Sequence, residues 1–222
     1  MDWQALTLSL QLAAATLLVL LPFGLWLARW LAYSKFAGKT WVEAMVVLPL
    51  VLPPTVLGYY LLVLIGRRGP IGAWLQAHFG IQLIFTWQGA VIAATIVAFP
   101  LVFKSARAAF EAVDPQLEQA ARVLGLGEAA VFFRVTLPLA WRGILAGVLL
   151  AFARATGEFG ATLMVAGSIP GKTQTLSVAV YEAVQAGQDD VANFLVAVTS
   201  VTCVAVLLAA GRLVPGRVAG QT

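Results

Sequence analysis

Long uncharged runs alternate with short charged clusters along this chain, and the spacing of the clusters matches a bilayer. Trp3 to Ala28, Ala44 to Gly66, Trp87 to Phe103 and Val191 to Gly211 contain no Asp, Glu, Lys or Arg. A spanning helix needs about 20 mostly apolar residues at about 1.5 Å each, so each run predicts a crossing. A further apolar pattern starts near Trp141 and reaches about Val165 with Arg154 and Glu158 inside it. It is taken as a crossing too, which makes five. The first run does not read as a cleaved leader: no basic segment precedes it, it is too long, and it meets Arg29 without an A-x-A site.

Composition agrees with this reading. The 222 residues are 61% hydrophobic and 11% charged, with a mean hydropathy of +0.91. Average soluble domains are about a quarter charged, so disorder is excluded and lipid must solvate much of the surface. The placement of the net charge of +4 matters more than its size. With five crossings, Arg29, Lys35, Lys39, Lys104, Arg107, Arg122, Arg134, Arg142, Arg212 and Arg217 fall on one side, and Arg67, Arg68 and Lys172 on the other. The positive-inside rule makes the first side cytoplasmic, placing the N-terminus outside and the C-terminus inside. Trp30, Trp41, Trp74, Trp87 and Trp141 fall near span ends as an aromatic belt would. No basic run suggests nucleic acid. The single Cys203 excludes an intramolecular disulfide, and with His78 alone no metal site is expected.

The longest inside connection, about 104–141, carries the most punctuation. Asp114 is a good N-cap, Pro115 suits the first helical position, and Gly125 stops the helix. Leu117, Ala120, Ala121 and Leu124 recur at i, i+3, i+4 and i+7, giving an apolar face of small residues, with Glu118, Gln119 and Arg122 pointing elsewhere. Such a helix requires a partner, or rests on lipid headgroups. Past the Gly125–Gly127 hinge, Val131, Phe132 and Val135 share one side before Leu137-Pro138 leads back into the membrane.

Gln119-Ala120-Ala121, three residues, Gly125, nine residues, Val135, one residue and Leu137-Pro138 resemble the E-A-A-x3-G-x9-I-x-L-P loop of bacterial ABC importer permeases. Glutamine stands where that family usually carries glutamate, with Glu118 one place earlier, and valine replaces isoleucine. The resemblance covers nearly the whole chain and narrows to molybdate permeases through LPLVLPPTVLGYYLLVLIGRRGPIG (48–72) and FARATGEFGATLMVAGSIPGKTQTLSVAVYEAVQ (152–185). It implies an all-α, type I importer permease fold forming a single domain over 1–222 in a bacterial inner membrane. It also implies a coupling helix at Asp114, Glu118, Gln119, Ala120, Ala121, Gly125, Leu126 and Gly127 that docks on a cytoplasmic ATPase. The implied partners are that ATPase, which binds the ATP and magnesium, and an extracytoplasmic binding protein that delivers molybdate. No cofactor and no catalytic residue are expected in this chain. Five helices enclose little polar space, so a second copy is expected to complete the pore. Sulfate or tungstate permeases are the runner-up, and an ion-driven secondary carrier, with paired repeats and midplane charges, is the rival from another class.

Three features bear on the path. Arg154 and Glu158 are four apart and can pair on a helix. They either flank a route for a divalent oxyanion or serve as a structural ion pair near Gly157 and Gly160. Leu48-Pro49, Pro53-Pro54 and Gly58 interrupt the second run, either lining a cavity, with Pro53, Pro54, Thr55 and Gly58 as candidates for the path or gate, or merely kinking a packed helix. Finally, AGSIPGKT (166–173) imitates a phosphate-binding loop but has alanine at the first glycine and lies outside by topology, so it is read as a surface loop.

Overall fold

A computed structural model describes residues 3–213. Among them the chain is helical: α1 (Gln4–Tyr33), α2 (Lys39–Val51), α3 (Pro54–Ile65), α4 (Pro70–Phe79), α5 (Trp87–Glu111), α6 (Pro115–Val123), α7 (Glu128–Val131), α8 (Leu137–Thr156), α9 (Gly160–Ala166), α10 (Leu176–Gln185) and α11 (Asp189–Leu213). A π-helical turn, Phe132–Thr136, joins α7 to α8, so a continuous 29-residue rod runs from Glu128 to Thr156. This rod, α1, α5 and α11 are each long and apolar enough to cross a membrane, and α2 with α3 makes a fifth crossing if the bent pair counts as one. Arg217, counted above as a cytoplasmic cation, lies outside the described residues.

The central element is α5. In its apolar window 61% of residues are buried, against 6% for α11, so α5 is the hub and α11 packs on one side only. Helices α5 and α8 meet through small residues. A Cβ on Gly147 would lie 2.5 Å from Ser105 Cβ, and one on Gly143 would lie 2.6 Å from Ala109 Cβ. Two small residues one turn apart on each helix let the backbones approach, the usual device where hydrophobicity cannot drive helix association. At the end of α5 next to α6, Leu31, Phe103 and Phe110 fill a core beneath α1 and α8. There Arg107 pairs with Glu43 at 2.6 Å and Glu111 at 2.8 Å, tying α2 to α5. At the other end the Leu176 amide donates to Ser9 Oγ at 2.7 Å, fixing the start of α10 against α1.

Two predicted spans differ from expectation. The second is not one kinked helix: α2 and α3 meet at 112°. Leu52 is extended, as a residue before proline must be, and Pro53 and Pro54 offer no amide to carry the ladder across. The charged span does not run from Trp141 to Val165 either. It begins at Glu128 and ends at Thr156, with α9 as a separate short helix. Pro138 does not start it, because the wide π turn before it, closed by the Leu137 amide on the Phe132 carbonyl, accommodates the missing donor.

Candidate functional site

The predicted loop helix is present as α6. Asp114 caps it, its side chain accepting from the Gln116 amide at 2.9 Å, and Pro115 occupies the first turn. Gly125 closes it with φ +86, and the amides of Gly125 and Leu126 return to the carbonyls of Arg122 and Ala121 at 3.0 and 3.2 Å. That paired return is a Schellman stop, which calls for glycine at the left-handed position.

The faces of α6 are arranged differently from the sequence pattern. Glu118, read as pointing elsewhere than the apolar face, turns inward and is 3% exposed. Its Oε1 accepts from Tyr33 Oη at 2.8 Å and from Thr136 Oγ1 at 2.5 Å, while Oε2 lies 3.5 Å from Arg122 Nη2. Ala121 is buried beside it on the inner face. Leu117, Gln119, Ala120 and the tip residues Val123 and Leu124 point outward, the last two 87% and 83% exposed. An apolar period alone cannot say which side of a helix faces the protein. Here hydrogen bonds to one buried carboxylate decide it, leaving the leucines free. Past the hinge, Leu126 is half-buried, Gly127 caps α7, and Arg122 grips Glu128 through Nε at 2.6 Å and Nη2 at 3.2 Å. The hydrogen bond to Glu128, with help from Glu118, holds the Arg122 guanidinium above its ordinary pKa.

The second candidate cluster also assembles, across a break. Arg154 lies in the last turn of α8, Gly157 ends that helix, and Glu158 stands beyond it. Nη1 of Arg154 is 2.6 Å from Glu158 Oε2, and Glu158 Oε1 accepts the Ala161 amide at 2.9 Å, capping α9. The carboxylate side chain is 1% exposed and the guanidinium side chain 32%, so the pair is rooted at the acid and open at the base. Helix α9 then packs on α3. A Cβ on Gly58 would stand 2.7 Å from Met164 Cβ, and one on Gly160 would stand 2.8 Å from Pro54 Cβ. Pro54 and Gly58 are thereby brought against the helix that Glu158 caps, while Pro53 and Thr55 remain exposed at the bend.

The phosphate-loop lookalike is a closed turn. The amides of Lys172, Thr173 and Gln174 all point to the Ile169 carbonyl at 2.9–3.2 Å, so they are not free to cradle a phosphate. His78 bonds the Trp74 carbonyl at 2.9 Å and stacks on the Trp74 ring. Sequence reasoning missed Tyr33, Thr136 and the Gly143–Gly147 seam. The seam has a readable small-x3-small signature on both helices. Tyr33 and Thr136 have none, since their partner Glu118 is 85 and 18 residues away.

Residues 20–219 match the family model described as "Binding-protein-dependent transport system inner membrane component". A molybdenum transport system permease protein of Escherichia coli (strain K12) is 50% identical over 184 residues, covering 83% of this chain and 80% of the relative. The corresponding protein of Haemophilus influenzae is 46% identical over 185 residues, covering 83% and 81%. Among solved structures, a bacterial ABC transporter involved in the import of the acidic polysaccharide alginate superposes with a TM-score of 0.73 at 18% identity, covering 97% of this chain and 79% of that one. At that identity the likeness speaks for the fold, an all-helical ABC importer permease.

Proposed function

Because the chain belongs to the family of binding-protein-dependent transport system inner membrane components, we propose that it is the membrane-spanning permease subunit of an importer that moves molybdate across a bacterial inner membrane. The observation that carries this reading is the 50% identity to a molybdenum permease over 83% of the chain. Transport draws on ATP hydrolysed, with magnesium, by a separate cytoplasmic ATPase that grips α6. The outward Gln119, Ala120, Val123 and Leu124 support that role, since large apolar side chains at the tip of an anchored helix call for a covering protein. The pair α2–α3 counts as one broken crossing, giving five, with the N-terminus outside.

A second copy completes the path. The absence of buried residues on α2 and the one-sided packing of α11 support a homodimer, because both helices leave apolar faces uncovered. Arg154 sits beside the route, with its guanidinium partly open, and offers a positive charge to a divalent oxyanion. An extracytoplasmic protein delivers the anion to the outer mouth and sets most of the selectivity, so the permease itself holds molybdate only weakly.

Uptake of radiolabelled molybdate into proteoliposomes tests the reading. Accumulation should require ATP and the ATPase on the α6 side and the loaded binding protein on the opposite side. Accumulation driven by a proton or sodium gradient without the ATPase would overturn it in favour of a secondary carrier.

A further inference from the structure

The exposed face of α6 meets the ATPase, but its motion is useful only if the inner face passes it to particular membrane helices. That inner face is nearly bare of polar contacts except at one residue. Glu118 places a fully buried carboxylate between three elements: Tyr33 at the end of α1, Thr136 at the π turn that begins α8, and Arg122 of α6 itself. The π turn bears on this geometry. One extra residue in a turn rotates what lies upstream by about 100° relative to an α-register. It therefore sets which residue of the rod meets Glu118 while Gly143 and Gly147 keep their seam on α5. Phe132, in the same turn, lies under the Arg29 guanidinium of α1 at 4.4 Å, so α1 and the π turn are joined a second time at this level.

Resting on the importer reading above, we propose that Glu118 is a positioning residue: a latch through which α6 drives the ends of α1 and α8 together, with Tyr33 and Thr136 as its two catches. A buried carboxylate suits this work. Its hydrogen bonds are charge-assisted and the carboxylate is itself 3% exposed, so displacing α6 drags both donors before the bonds break. Ala121, the other buried residue of this face, has no polar group and supplies contact without direction. A crevice of about 390 Å³, bordered by Tyr33, Glu118 and Arg122, lies beside the latch and leaves room for the three groups to move together.

The experiment uses Tyr33→Phe, Thr136→Val and their combination, with Thr136→Ser as the conservative control, none of which alters the outward face of α6. In proteoliposomes with the ATPase and loaded binding protein, the latch predicts that all variants copurify with the ATPase at the wild-type ratio and keep basal hydrolysis. Molybdate moved per ATP should fall about tenfold or more in the combined variant, the scale of losing hydrogen bonds to a charged group, and Thr136→Ser should retain it. An unchanged ratio in the combined variant overturns the latch, as does a loss that appears only with loss of copurification. Hydrogen exchange on the isolated permease supplies a readout independent of substrate. Amides of α6 should exchange about tenfold faster in the combined variant while those of α5 do not change. Equal exchange in α6 overturns the latch even if the wild type proves to carry another anion, whereas a wild type that moves no molybdate but shows the exchange difference overturns only the substrate.

Discussion

Removing one member of the Arg154–Glu158 pair should have unequal consequences, because the two side chains are unequally buried. The acid is 1% exposed and the base 32%. Arg154→Met strands a carboxylate that water cannot reach, and stranding one member of a buried pair costs about 3–5 kcal/mol. Glu158→Gln leaves a guanidinium that the chain does not enclose and that opens to the route proposed above, and retains an oxygen for the Ala161 amide, so its cost is nearer one charge-assisted hydrogen bond, about 1.5–3 kcal/mol. Glu158→Ala also loses the α9 cap, which adds about 1 kcal/mol. The double variant Arg154→Met with Glu158→Gln removes both charges and should recover part of the Arg154→Met loss, so the two changes are not additive. Thermal unfolding of the purified protein in detergent, at roughly 2–4 °C per kcal/mol for this chain length, separates these cases. Arg154→Met should fall by about 6–20 °C, beyond Glu158→Gln. If Glu158→Gln proved the more damaging, or the double variant lost the sum of the singles, the burial-based account of this pair would be wrong.

Other positions give cleaner contrasts. Gly147→Val should separate α5 from α8 at a cost of about 1–3 kcal/mol or prevent folding, seen as lowered melting or aggregation on size exclusion. Gly24→Ala, whose nearest neighbour would be 3.5 Å away, should be tolerated. At Gly125 nothing in the chain lies within 4 Å of an added Cβ, so Ala and Leu should destabilise the isolated permease equally through the left-handed backbone, while coupled transport by the assembled importer should fall further with Leu. An equal loss of transport for the two would show that the ATPase does not fill that space. In a background lacking Cys203, cysteines at Ala120 and Leu124 should react with a polar maleimide from the cytoplasmic side and be shielded by the ATPase. One at Ala121 should stay unreactive, and equal labelling at all three would contradict the assignment of faces.

Much of this architecture was legible because a bilayer makes length and charge decisive. The uncharged runs found α1 and α11 within about five residues and the start of α5 at Trp87, though α5 continues past the run's end at Phe103 to Glu111, and Asp114, Pro115 and Gly125 bounded α6 because capping chemistry is local. Where the reading went astray, the deciding partner was distant. The helical period put Leu117, Ala120, Ala121 and Leu124 on one face in need of a partner, and the leucines do face outward, but Tyr33 and Thr136 hold Glu118 inward and Ala121 is buried beside it. Likewise Arg154 and Glu158 do pair, yet Gly157 ends the helix between them and the acid caps α9, which spacing alone does not reveal. Pro53 and Pro54 announced an interruption but not its angle of 112°, nor that α3 beyond it would pack on α9, a contact between residues distant in sequence.

The coupling proposed for this permease joins the arrival of loaded molybdate-binding protein to ATP hydrolysis on the far side of the membrane. Its most direct test is the hydrolysis rate of the reconstituted complex with binding protein that is empty or loaded with molybdate, tungstate or sulfate. Stimulation by the molybdate-loaded protein over the empty and sulfate-loaded forms is the predicted result. Stimulation by sulfate alone, or by no anion in a complex that assembles, would contradict it.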